Sequence, residues 1–480
     1  MVQLLVLGIL VNIYLIILFL ILPFGYNCFY LIYCSWKYTP QVSKHIDYPQ
    51  MVTVQLPIYN EKYVITRLLS SIASIDWPRD KLQIQVLDDS DDSTAVLIDE
   101  IACKMKAQGF DVQIIRRPRR IGFKAGALQN ALHTAKGKYV VVFDADFIPS
   151  PDFLCRTIPI LEEEPTLGIL QTRWGHENRK YNWLTQAIAL GIDGHHIIEQ
   201  SGRSAQGLLL NFNGSGGVLR KEAMLDAGGW LSDTLSEDMD LSYRMQLKGW
   251  KIRYQRDVIV KAEVPPSMAA FRSQQARWAK GSIQCSKKLV KRVWGSDDHS
   301  IMQKIQAILH MSYYLIHPSM LVSLIITLPL LMLDGFKLLP FWTPLVVLLG
   351  LCAISSFTMY FAAIRWQGLS LRETIPFLGL LSLIGYGLSA RCSLSVVRGI
   401  LQTGGVFHRT PKYNIQTRED SWRSKLYKPF IDLNVLEIFF MLYSLAGMYL
   451  AYTRHNWSLT FYLSVYFMGY LTILYNLMKD

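Results

Sequence analysis

Charge is missing from the start of the chain: no charged residue occurs between Val2 and Cys34. That run exceeds the roughly 20 residues needed to cross a bilayer, which excludes an ordinary soluble start. Basic residues ahead of it are missing too, so it is expected to be a retained membrane helix and not a secretory signal. Paired cysteines are absent. The seven present (28, 34, 103, 155, 285, 352 and 392) show no metal-binding spacing, and scattered singles fit a reducing, cytosolic face. No nucleic-acid module accompanies the formal charge of +12. Anionic lipid head groups and an anionic substrate account for that excess better. The apolar stretches hold neither a carboxylate pair nor an inverted repeat, which argues against a transporter.

What is present is a chain of 480 residues, 51% of them apolar, too long for one domain. The apolar excess sits in the first 34 residues and beyond about residue 305, so a soluble insert is expected between membrane segments. Lys37 and Lys44 follow the first apolar run. The positive-inside rule then places the N-terminus outside and residue 37 onward in the cytosol.

Residues 50–265 alternate strand and helix, which predicts an α/β domain with a mostly parallel, helix-covered sheet. Met51–Leu56 is a predicted strand closed by Pro57, and Asn60-Glu61 is expected to open a helix. Leu82–Leu87 and Val112–Ile115 are further strands. The central stretch is Lys138–Ser150. Its strand Tyr139–Phe143 ends on Asp144-Ala145-Asp146, and alternate residues of an extended chain face the same way. Two hard oxygen ligands there suit Mg²⁺ or Mn²⁺ bridging a diphosphate. Asp88-Asp89 ends the strand Leu82–Leu87 and is expected at the same sheet edge, where open α/β sheets bind ligands.

Arg116–Lys124 is a dense basic run, and Lys124 opens a helix whose N-terminus favours anions. Asn213–Gly217 is a glycine-rich turn without the G-K-[ST] of a Walker loop. Ser236-Glu237-Asp238 precedes a predicted helix, Met239–Lys248. Pro265–Trp294 has the basic amphipathic pattern of an interfacial helix, and it contains Gln274-Gln275-Ala276-Arg277-Trp278.

In order, Asp88-Asp89, Asp144-Ala145-Asp146, Ser236-Glu237-Asp238 and Gln274…Arg277-Trp278 resemble the D-D, D-x-D, T-E-D and Q-x-x-R-W signature of the processive inverting glycosyltransferases of family 2. These are the cellulose, mannan and hyaluronan synthase group. Ser236 replaces the usual Thr and keeps its hydroxyl, and Lys124-Ala125-Gly126 and Asn213-Gly214 in front of a Gly-Gly also resemble the family's. The resemblance covers about residues 50–290 and implies a Rossmann-like GT-A fold. It assigns Asp88 and Asp89 to the base and ribose of the nucleotide, and Asp144 and Asp146 to the metal and diphosphate. Glu237 and Asp238 would form the catalytic centre, with Asp238 as general base. Lys124, Gln274 and Arg277 would bind substrate, Arg277 neutralising the diphosphate, and Trp278 would stack on the acceptor sugar. Phe407-His408-Arg409-Thr410-Pro411-Lys412 is similar to the group's gating loop, F-x-V-T-x-K, with Arg for Val. It implies substrate contacts from Thr410 and Lys412.

Ile308–Leu333 and Phe341–Ile364 are each long enough to span. The loop between them holds only Asp334 and Lys337, and Arg365 and Arg372 follow on the cytosolic side. Thr374–Val397 is apolar but has basic flanks at both ends. One span cannot join two cytosolic loops, so this stretch is expected to lie in the interface or to re-enter. Asn434–Tyr452 and Leu459–Leu477 complete five spans with a cytosolic C-terminus.

The expected organisation is a membrane helix (1–36), a cytosolic catalytic domain (37–265), interfacial helices (266–305), two spans (306–364), an interface helix with the gating loop (365–432) and two last spans (433–480). The expected activity is transfer of a hexose, with inversion, from a nucleotide sugar of the UDP-glucose or GDP-mannose type to a growing, translocated glycan. Addition of one sugar to a membrane lipid is the alternative. A scaffold with an inactive domain is a remote third reading, and the intact acidic motifs argue against it. No cyclic-dinucleotide domain follows the last span, so no built-in regulator is expected.

Overall fold

The structure is a computed structural model that describes residues 2–41, 49–336, 343–429 and 434–480. Lys44 and Lys337 of the charge argument, and the first residues of the span expected from Phe341, lie outside the described residues.

Seven strands form one sheet: β1 Val52–Ile58, β2 Leu82–Asp88, β3 Asp111–Ile115, β4 Tyr139–Val142, β5 Leu167–His176, β6 Gly217–Arg220 and β7 Lys251–Ala262. Their order is β3-β2-β1-β4-β6-β5-β7. All neighbours run parallel except β6, which is antiparallel to β4 and to β5. Alternation along each strand fills two layers. Val141 and Phe143 face helices Ile65–Ala73, Thr94–Ala107 and Phe153–Glu163, whereas Val140 and Val142 face Phe123–Leu132 and Glu237–Gln246.

This topology puts the chemistry at one edge. β1, β2, β4, β5 and β7 all end there, and antiparallel β6 begins there, with Gly217 opposite Val142. The chain reverses its order of addition between β1 and β4, the point at which such sheets open a crevice.

Two expectations at that edge need correction. Pro57 does not close β1, which runs on to Ile58. Gln55 O accepts from Phe143 N on the β4 side, so Pro57, two residues on, turns its missing N–H to that side as well. β4 pairs only as far as Gln55, so no ladder bond is lost there. Asn60-Glu61 opens no helix either; the helix starts at Ile65. Asn60 has a φ of 55° and ties the β1 exit to the β2 exit through Ser90 Oγ (2.9 Å) and Asp91 Oδ1 (2.7 Å).

Among the described residues, four helices are long and apolar enough to cross a membrane: Val2–Ser35, Tyr313–Met332, Val435–Thr453 and Trp457–Lys479. Thr343–Trp366 is a further helix of 24 residues. The span expected from Ile308 starts later, because Ile308–Met311 ends a separate helix, Ile301–Met311. Ser282 Oγ takes the Met311 carbonyl at 2.6 Å, and the chain leaves helical geometry at Ser312. The stretch Thr374–Val397 is two helices, Leu371–Gly387 and Ser389–Leu401, meeting at a 49° bend.

Candidate active site

A cleft opens at the carboxyl edge of the sheet, between it and helix Met268–Trp294. Eleven of the twelve residues singled out from sequence line it: Asp89, Lys124, Asp144, Asp146, Glu237, Asp238, Gln274, Arg277, Trp278, Thr410 and Lys412. Asp88 is the exception. Its fully buried carboxylate accepts from Arg116 Nε (2.8 Å) and Ser90 N (3.0 Å), so it braces the basic run from behind the cleft. Asp89 faces the cleft but is itself held by Arg117, with Nε at 3.0 Å from Oδ1. Arg120 lies 3.4 Å above the centroid of the Tyr59 ring beside it.

The D-x-D pair emerges directly after β4. Asp144 Oδ1 lies 2.6 Å from Lys124 Nζ, which also donates to Gly214 O at 2.9 Å. Burial works against the Lys124 charge, but Asp144, Glu237 and Asp238 outweigh it and raise its pKa. Asp146 Oδ2 accepts from Lys412 Nζ (2.7 Å) and Glu263 N (2.8 Å), while its buried Oδ1 has no hydrogen-bond partner.

Glu237 and Asp238 occupy the first turn of helix Glu237–Gln246. Burial, then the neighbouring Glu237 carboxylate, push the Asp238 carboxyl up to about 7. Gly214 is required opposite it. Its φ is +81°, and a Cβ there would stand 2.8 Å from Asp238 Oδ2. Gln274, Arg277 and Trp278 share one face of their helix through i, i+3 and i+4 spacing. The Arg277 guanidinium sits over the Phe407 ring at 4.4 Å.

Gly281 on the same helix lets the Ser236–Asp238 turn approach. A Cβ at 281 would lie 2.2 Å from Ser236 Oγ and 2.8 Å from the Leu235 carbonyl carbon. Gly281→Ala gains up to about 1 kcal/mol of helix propensity. Forcing backbone apart costs about 1–3 kcal/mol, so the net effect is destabilising. A drop in melting temperature is expected with at least tenfold lower turnover, since a small displacement of catalytic groups is enough for that. Thermal unfolding and nucleotide release assays would check both.

Two acids at this edge were missed. Glu61, after β1, pairs with Arg409 Nη1 at 3.0 Å. Glu263, after β7, accepts from Tyr413 N at 2.8 Å and from Ile415 N. Together with Lys412 on Asp146, these contacts pin the 407–415 loop across the cleft mouth. The signal that marks Asp88 and Asp144, an acid directly after a strand, applies to Glu263 as well.

A mostly parallel sheet with paired acids at its edge and an acid-bearing helix facing them is the arrangement of a GT-A glycosyltransferase domain. Residues 49–281 match the family described as "Glycosyltransferase like family 2". Over 247 residues the chain is 40% identical to glucomannan 4-beta-mannosyltransferase 2 of Arabidopsis thaliana, covering 51% of this chain and 46% of that protein. It is 40% identical over 262 residues to "Probable glucomannan 4-beta-mannosyltransferase 7" of Oryza sativa subsp. japonica, covering 54% and 45%. The chain thus spans about half the length of the curated relatives it matches. The fold is shared with a mannosyltransferase of Pyrobaculum calidifontis solved with GDP-Man and Mn²⁺. That likeness has a TM-score of 0.55 at 21% identity, over 72% of this chain and 99% of the other.

Proposed function

We propose that this chain is an inverting β-mannosyltransferase that extends a glycan from GDP-mannose at the cytosolic face of a membrane. The observation that carries the reading is that Asp144, Asp146, Asp238, Arg277 and Trp278 line one cleft. Inverting transfer needs a base on one side of the anomeric carbon and a stabilised leaving group on the other. Asp238 takes the proton of the acceptor hydroxyl, Arg277 and Lys124 hold the departing diphosphate, and Trp278 offers its face to the acceptor ring. The mannosyl donor is favoured by the names of the relatives at about 40% identity.

The residues fit a divalent cation. Asp146 Oδ1 is a buried, unpartnered oxygen in the cleft. No cluster of three metal-ligating side chains occurs among the described residues, so a cation here would draw its remaining ligands from diphosphate and water. Asp144 and Asp146 would hold Mg²⁺ or Mn²⁺, whose charge would offset that of the diphosphate.

The membrane placement extends the same reading. The bent pair Leu371–Leu401 lies in the cytosolic interface, which brings the 407–412 loop to the cleft, and the product passes between the spans. The test is a donor screen with purified protein, GDP-mannose against UDP-glucose, measuring nucleotide diphosphate release and product size with Mg²⁺ and Mn²⁺. A β-linked ladder from GDP-mannose is expected. A single organic-soluble product would show lipid glycosylation instead, and preference for UDP-glucose would overturn the donor assignment.

A further inference from the structure

Asn213 stands at the cleft wall immediately before Gly214. Its side-chain oxygen is fully used. It faces His195 Nε2 at 3.0 Å, Asn211 Nδ2 at 3.2 Å and Gln200 Nε2 at 3.3 Å. Backbone carbonyls fix the two amides among these neighbours. Gln200 Nε2 also donates to Asn211 O (3.2 Å), and Asn211 Nδ2 to Phe212 O (2.9 Å). A carbonyl only accepts, so both nitrogens are where they must be, and the oxygen of Asn213 must face them. Its Nδ2 is therefore turned the other way, and it is a buried donor with no partner in the protein. Such groups are rare, and one at a cleft wall marks a place for a ligand atom.

His195 explains how this arrangement is held. It lies on a π-helix, Gly194–Gln200, a rare form that tends to occur at functional sites. Its Nδ1 is 2.9 Å from Glu199 Oε2, and a carboxylate only accepts, so Nδ1 carries a proton. Its Nε2 faces the Asn213 oxygen at 3.0 Å and the Gln200 amide nitrogen at 3.2 Å. Burial opposes a charge on the ring, but Glu199 outweighs it and raises the His195 pKa. Glu199 is held in turn by Arg203 Nε at 3.1 Å and lies 3.8 Å from His310 Nε2.

We propose that Asn213 Nδ2 is a sugar-binding donor and that His195, backed by Glu199, is the positioning residue that aims it. The proposal rests on the transferase reading above. The ligand atom is a hydroxyl or ring oxygen of a hexose at the point of transfer. The next residue, Gly214, packs against both Asp238 and Lys124, so Asn213 borders the space between the proposed base and the diphosphate. A mannosyl donor and a mannan acceptor present the same kind of oxygen.

The test uses the full chain in detergent with GDP-mannose, Mn²⁺ and a mannan oligosaccharide, comparing wild type with Asn213→Asp, His195→Gln and His195→Leu. Asn213→Asp keeps an oxygen towards His195, exchanges the N–H for an acceptor oxygen and adds a negative charge near Asp238, so it is compared at a pH well above the acid limb of each protein. Its melting temperature should not fall, because the carboxylate still faces His195 and the Asn211 and Gln200 amides, while kcat/KM drops on the order of tenfold. A loss in donor KM assigns the oxygen to the donor sugar; a loss in acceptor KM assigns it to the acceptor. His195→Leu should reproduce the loss, with His195→Gln between, since its amide can still donate to the Asn213 oxygen. Transfer by Asn213→Asp within twofold of wild type, or an activity loss matched by a fall in melting temperature, overturns the proposal. Wild-type protein that releases no nucleotide diphosphate from any nucleotide sugar removes the transferase reading first, and the inference falls with it.

Discussion

Asp238→Asn should lower transfer about 10³-fold, within the range measured for loss of a general base. The substitution is close to isosteric. A carboxamide oxygen can still accept from Met239 N, which bonds Asp238 Oδ1 at 2.8 Å. Donor affinity, read by calorimetry with the nucleotide sugar, should therefore stay within about threefold, because the substitution removes no group assigned to the diphosphate. The pH profile separates a base from a structural acid. With burial holding Asp238 up at about 7, the active, ionised form is lost as pH falls through neutrality. Wild-type kcat/KM should fall roughly tenfold per unit below that point, and the Asn variant should be flat. Normal turnover by the variant would rule out the base.

Much of this site could be read from residue order alone, and the reason is topological. Strand and helix alternate, so an acid placed just after a strand lands on a known edge. Asp89, Asp144 and Asp146 are there. What order does not specify is which way each acid turns. Asp88 and Asp89 are adjacent and so point apart. Arg116 captures the first and Arg117 the second, and that choice belongs to a loop more than 25 residues away. Glu61 looked like a helix start because Asn60-Glu61 precedes an apolar repeat, but Asn60 is spent on joining two strand exits. Glu263 was passed over because β7 and its long partner β5 carried no motif. The partners of both acids lie in the 407–415 loop, about 150 or more residues further along, a distance at which no local pattern can pair them. The asparagine at 213 looked like part of a glycine turn. Its burden of three donors is visible only once the π-helix is packed against it.

Arg277→Met should reduce turnover by about 10²–10³-fold, the scale of losing one preorganised charge from a leaving-group site. The argument has two parts. The guanidinium is held against the Phe407 ring and faces Glu237, Asp238 and Asp144, so its positive charge is already in place before any diphosphate forms. Methionine fills the space without that charge, and the departing diphosphate is left to Lys124. The second part concerns the acids. Arg277 lowers the pKa of both Glu237 and Asp238, although burial prevails. Without it Asp238 titrates higher still, so the acid limb of the pH profile should move to higher pH in the variant. Arg277→Lys keeps the charge but not the flat cation on Phe407, and should fall between the two with a smaller pH displacement. A structural role would lower activity without moving the limb. Stopped-time assays of nucleotide diphosphate release across pH 5.5–9 on all three proteins would show it, and an unmoved limb in Arg277→Met would separate Arg277 from the acid pair.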